Sequence, residues 1–134
     1  MSVRRLPESY RIVLADPHAA TREAIALVLR SEGGFEVAGS AATMEDAVRM
    51  IRETRPDVLI VDPWLFGPAG LPGCLAARQI NPRLVIIALL PDDQFDAYHA
   101  AARAMGADAA VAKSRARRDL LGALRAVLPP PPRE

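Results

Sequence analysis

Cysteine is nearly absent from this chain: Cys74 stands alone among 134 residues. That excludes a disulfide framework and a thiolate metal cluster, and leaves Cys74 as a small apolar residue for a core. Two histidines are too few to favour a zinc site. Aromatic residues make up 4% of the chain, which argues against a platform for stacking bases. An excess of one charge is lacking too. The net charge is +1, so no global field points to nucleic acid or an anionic membrane. No apolar run approaches membrane-spanning length, and residues 1–10 lack the apolar core of a secretion signal. The expected compartment is a reducing cytoplasm, with no membrane partner.

What is present suits one soluble globular domain. Hydrophobic residues make up 51% and charged residues 25%. The expected domain covers residues 9–128. Residues 129–134 begin with four consecutive prolines and read as a polyproline tail or the start of a linker. Short apolar runs mark strands at Arg11–Ala15, Phe35–Gly39, Asp57–Val61, Leu84–Leu90 and Asp108–Ala112. Amphipathic stretches lie between them. Their apolar stripes are Ile25, Val28 and Leu29; Met44, Ala47, Val48 and Ile51; Leu71, Cys74 and Leu75; Tyr98, Ala101, Ala102 and Met105; and Leu120, Leu121, Leu124 and Leu128. Each stripe reads as a core face. Thr43 is the expected N-cap of the second helix. Gly33-Gly34, Pro56, Pro82 and Gly106 punctuate helix ends.

Strict β-α alternation implies an α/β fold, a parallel sheet covered by about five helices on both faces. With right-handed crossovers, the expected order of the five strands is 2-1-3-4-5, a doubly wound, flavodoxin-like sheet. Three charged residues directly follow apolar strands: Asp16 after Ile12–Ala15, Asp62 after Val58–Val61, and Lys113 after Ala109–Ala112. They would share the carboxyl edge of the sheet, where open α/β sheets place their chemistry. Simpler roles compete with that one. Asp16 could cap a helix ahead of Pro17, Asp62 could cap a turn, and Lys113 could hold a plain ion pair with Asp62. His18 reads as helix-start polarity, Arg115, Arg117 and Arg118 as a solvated helix start, and Trp64 and Phe66 as loop packing beside the pocket.

These pieces resemble the receiver domain of bacterial two-component response regulators, a CheY-like fold. The resemblance rests on Ile12-Val13-Leu14-Ala15-Asp16-Pro17-His18 with Arg22-Glu23, on Asp57–Asp62, on Gly70, and on Gly106-Ala107-Asp108 with Lys113. The Asp-x-His…Arg-Glu stretch is most similar to receivers that precede helix-turn-helix output domains. The resemblance implies that Asp62 is the phosphoacceptor for a histidine kinase or phosphotransfer protein, and that Lys113 contacts the phosphoryl oxygens. It implies Mg²⁺ held by Asp16, Asp62 and the backbone carbonyl of Trp64. It also implies a signalling module and not an enzyme, with homodimerisation through the face of the fourth helix, fifth strand and fifth helix. No nucleic-acid contact by this domain is expected.

The chain departs from the family in four places, one of them the loop after Asp62, where Leu65-Phe66 stands in place of the common Met-Pro. Pro17 replaces a metal-binding acid, so Mg²⁺ binding is expected to be weakened or lost. Leu89 stands where a hydroxyl residue usually ends the fourth strand. Ala110 stands where the fifth strand usually carries a switching aromatic. Both usual switch positions are therefore degenerate. The alternative reading is a phosphorylation-independent interaction module that keeps the fold.

Overall fold

A computed structural model describes residues 9–66, 71–104 and 106–129. The elements run β1 (Tyr10–Ala15), α1 (Ala19–Glu32), β2 (Phe35–Ala41), α2 (Met44–Thr54), β3 (Val58–Val61), a 3₁₀ turn (Pro63–Phe66), α3 (Leu71–Ile80), β4 (Val85–Leu90), α4 (Phe95–Ala104), β5 (Ala109–Ala112) and α5 (Ala116–Val127). All strand pairs are parallel, in the order β2-β1-β3-β4-β5. This is the expected α/β topology.

The sheet is central because its sequence is apolar on both sides. All four residues of β3 are buried, as are the last four of β1 and the last five of β4. Successive side chains leave a strand on opposite faces, so each strand feeds two cores. On one face Val13, Leu59, Val61, Ile86 and Leu90 meet Ala47 and Ile51 of α2, Cys74 and Ala77 of α3, and Ala102 of α4. On the other, Ile12, Leu14, Ile60, Ile87 and Leu89 meet Ile25 and Leu29 of α1 and Leu120 and Leu124 of α5. Each fully buried Leu or Ile side chain contributes roughly 1.5–3 kcal/mol. Burial raises the pKa of the Cys74 thiol, against the opposing charge of Arg78, consistent with an inert core residue.

The edge strand β2 is less buried and carries the one register shift, between Ile12 and Val13. Val37 and Gly39 pair across that step, so Ala38 is the extra residue. A Cβ on Gly39 would lie 2.8 Å from Met50 Sδ, so the flexible Met50 side chain would have to shift to admit it.

The helix ends follow local chemistry. The Asp46 amide donates to Thr43 Oγ1 at 3.2 Å, the expected N-cap. Gly33 and Gly34 take positive φ and stop α1. Gly106 has φ 101° at the turn into β5. Arg55, not a glycine, holds the left-handed cap of α2 at φ 47°.

Three stripe residues expected in the core are exposed instead: Met44, Leu75 and Tyr98. Met44 is the first residue of α2, Leu75 lies midway along α3, and Tyr98 leans outward on another aromatic. The stripes of α1 and α5 otherwise face the sheet as expected. Gly70, Met105 and residues 130–134 of the proline-rich tail lie outside the described residues, as do the side chains of Phe66 and Leu71. Among the described residues, no helix is long and apolar enough to cross a membrane.

Candidate functional site

The parallel ladder itself brings the two acids together. The Asp62 amide donates to Ala15 O at 3.0 Å, and the Asp16 amide donates to Ala41 O at 3.0 Å. Each hydrogen bond extends a strand pair by one residue, which sets both aspartates on the same sheet edge. Lys113 reaches them from the end of β5. Its ammonium donates to Asp62 Oδ2 at 2.9 Å and lies 2.7 Å from Asp16 Oδ2. The three charged residues expected to converge do so.

Asp16 and Asp62 are the only buried polar or charged residues among the described ones, at 1% and 5% exposure. Two buried carboxylates repel each other and are costly to desolvate, so a shared cation stabilises both. Lys113 responds in kind. Burial acts most strongly and pulls its pKa down, but Asp16 and Asp62 together raise it above the ordinary lysine value of 10.5. Lys113 is also the chain's only lysine; the other sixteen basic residues among the seventeen are arginine. A compact ammonium fits between two carboxylates where a planar guanidinium would need a wider fork.

Each carboxylate is also held from its own loop. Asp62 Oδ1 accepts the Trp64 amide at 2.9 Å. Asp16 Oδ1 accepts the His18 amide at 2.8 Å, and His18 Nδ1 is 3.2 Å from the same oxygen. His18 stands at the N-cap position of α1, but its exposed side chain makes no capping hydrogen bond to the helix. Asp16 Oδ2 is different. Lys113 approaches it as an ion pair, but no donor is aligned on it as a hydrogen bond.

That oxygen decides whether a hard cation fits. It is a buried carboxylate oxygen with unused acceptor capacity, and it shares the Lys113 ammonium with the carboxylate of Asp62. Mg²⁺ is commonly held by one or two carboxylates, with water and phosphate oxygens completing its shell. The donor set meets that requirement. It offers no more, since no group of three His, Cys, Asp or Glu side chains gathers among the described residues.

The two degenerate positions are apolar in space as well as in sequence. Leu89 is buried on the α1–α5 side of the sheet. Ala110 pairs with Ala88 in the β4–β5 register and packs on the opposite side. Neither brings a polar group to the pocket.

Several supporting contacts were not legible in the sequence. Arg22 donates to the Asp16 carbonyl at 2.7 Å and to Ser40 Oγ at 2.9 Å, pinning the turn that carries Asp16 to β2. Asp92 accepts the Ser114 amide at 3.1 Å and ties together the loops after β4 and β5. The Ser114 hydroxyl and amide hold the Asp92 carboxyl below its usual value. Trp64 lies edge-on to Tyr98, with ring centroids 5.5 Å apart. Arg115, Arg117 and Arg118 are exposed, as a solvated helix start should be. A cavity of about 450 Å³ opens beside Lys113 between α1 and α5, lined by Thr21, Ile25, Val28, Ser114 and Arg117 among others.

Comparison with known proteins agrees with this fold. Residues 12–125 match the family model described as the response regulator receiver domain. The oxygen regulatory protein NreC of Staphylococcus haemolyticus is 31% identical over 121 residues, covering 87% of this chain and 54% of that protein. NreC of Staphylococcus epidermidis is 32% identical over 90 residues, covering 63% and 40%. The chain thus spans about half or less of these curated relatives. Among solved structures, the signal receiver domain of the response regulator NarL from Mycobacterium tuberculosis is 26% identical with a TM-score of 0.77, covering 90% of this chain and 96% of that one. A LuxR-family two-component response regulator from Aurantimonas is 30% identical with a TM-score of 0.76, covering 89% and 84%.

Proposed function

The chain belongs to the response regulator receiver domain family, and we propose that Asp62 accepts a phosphoryl group from the phosphohistidine of a histidine kinase. The observation that carries this reading is the Lys113 ammonium placed between two buried carboxylates at strand ends.

The chemistry follows from that arrangement. A carboxylate is ionised at neutral pH and can attack phosphorus directly. One Asp62 oxygen forms the new P–O bond as the P–N bond of phosphohistidine breaks, and the electron pair leaves on the imidazole nitrogen. The Trp64 amide fixes the carboxylate's orientation through Oδ1. Lys113 already touches Oδ2, so a short swing would set its ammonium against the phosphoryl oxygens that arrive there. Asp16, Asp62 and the Trp64 carbonyl would hold Mg²⁺, which when bound supplies positive charge against the phosphoryl oxygens. With Pro17 in place of a further acid, fewer protein oxygens are available and more of the shell falls to water, so a weak Mg²⁺ site is expected.

Pairing of two copies through the face of α4, β5 and α5 belongs to the same proposal. The phosphorylated chain should sediment faster than the unmodified one; equal sedimentation would remove this part.

The test is incubation with acetyl phosphate and Mg²⁺, followed by intact-mass measurement. The expected result is a gain of one phosphoryl group that requires Mg²⁺ and is lost in Asp62→Asn. No gain in the native chain would overturn the reading and favour a module that binds partners without phosphorylation.

A further inference from the structure

A phosphorylated site is useful only if another part of the molecule registers it. The hydroxyl and the β5 aromatic that would usually do so are replaced by Leu89 and Ala110, both apolar and packed into the two cores. We infer that in this chain the state of Asp62 is carried to α4 by the Trp64–Tyr98 contact. This rests on Asp62 being the phosphoacceptor.

Three observations connect the residues. First, Trp64 is bound to Asp62 through its own backbone: the Trp64 amide donates to Asp62 Oδ1 at 2.9 Å. Second, the Trp64 ring leaves the loop and meets Tyr98 of α4 edge to face, at 5.5 Å and an interplanar angle of 83°. Third, both rings are partly open to solvent, at 40% and 36%, so neither is locked in a core. They can change position without opening the sheet packing.

The intervening residue favours transmission. Pro63 separates Asp62 from Trp64, and its ring fixes φ. The Leu65 amide also donates to the Asp62 carbonyl at 2.9 Å, closing the turn. A short, braced turn passes a change at the carboxylate on to the Trp64 ring. The change itself is large. Phosphorylation turns a carboxylate shared with Lys113 into an acyl phosphate carrying about −1.5 to −2 charges and new acceptor oxygens. The ammonium then has a stronger partner, and Oδ1 becomes a weaker acceptor for the Trp64 amide. An aromatic edge contact is strong enough to bias a two-state helix position by a few-fold to about tenfold.

Trp64 is the chain's only tryptophan, so tryptophan emission reports the surroundings of this one ring. The experiment loads the full chain with acetyl phosphate and Mg²⁺ and checks loading by intact mass. It then reads Trp64 emission and amide hydrogen exchange over residues 95–104. Loading should shift the emission and change α4 exchange by at least about twofold. Tyr98→Leu should load as before yet lose the α4 response, and Tyr98→Phe, which keeps the ring, should retain it. A loaded native chain with no α4 response would overturn the inference and leave the phosphoacceptor reading intact. So would a Tyr98→Leu response equal to that of the native chain. A chain that takes no phosphoryl group overturns both.

Discussion

At the residue scale, Lys113 is the keystone of the pocket. Removing it leaves two buried carboxylates facing each other with no cation. Lys113→Met should lower stability by about 2–3 kcal/mol, toward the lower end for a broken buried pair because the ammonium keeps some access to water. Urea unfolding would measure this, and added Mg²⁺ should restore more stability to the variant than it adds to the native chain. The pH dependence has a definite sign. Because the Lys113 pKa is raised above 10.5, its stabilising share is complete below that value. It is lost as pH rises through the raised value. Lys113→Met should lack this alkaline step. Asp16, Asp62 and Lys113 were legible in sequence because each directly follows an apolar run, and a parallel sheet aligns such ends. Tyr98 was not. Its helix stripe gives no sign that the ring turns out to meet Trp64, a contact made only once α4 has docked.

At the element scale, strand position decides what an aspartate does. Asp57 and Asp108, at the opposite edge of the sheet, accept the Arg11 and Ile86 amides at 2.8 Å each. They extend strand pairing as side-chain acceptors and have no part in the pocket. The sequence places Asp57 and Asp62 around one run of four apolar residues; only their order relative to the strand distinguishes lacing from chemistry. Helix ends show a different limit. Pro56 signalled the end of α2, but the left-handed cap falls on Arg55, a residue with no preference for it. A Cβ in that conformation is costly, so Arg55→Gly should raise stability by about 0.5–1 kcal/mol, read as a higher urea midpoint with an unchanged slope. A lower midpoint would mean that the Arg55 side chain contributes more than its backbone strain costs.

At the scale of the whole molecule, the fold was legible because one signal repeats. Five apolar runs alternate with amphipathic helices, and burial of β1, β3 and β4 on both faces leaves β2 and β5 at the edges. That strand order puts β1 beside β3 and so Asp16 beside Asp62. The exposed faces were harder to read, since Met44 and Leu75 fit a helical stripe whether or not a strand lies beneath them. The central claim is that this scaffold exists to phosphorylate one carboxylate. Borohydride reduction of the chain after acetyl phosphate and Mg²⁺ treatment, followed by peptide mass mapping, tests it most directly. Reduction of an acyl phosphate converts aspartate to homoserine. The expected result is conversion at Asp62 and nowhere else. Conversion at another carboxylate, or none in a chain that remains folded, would contradict it.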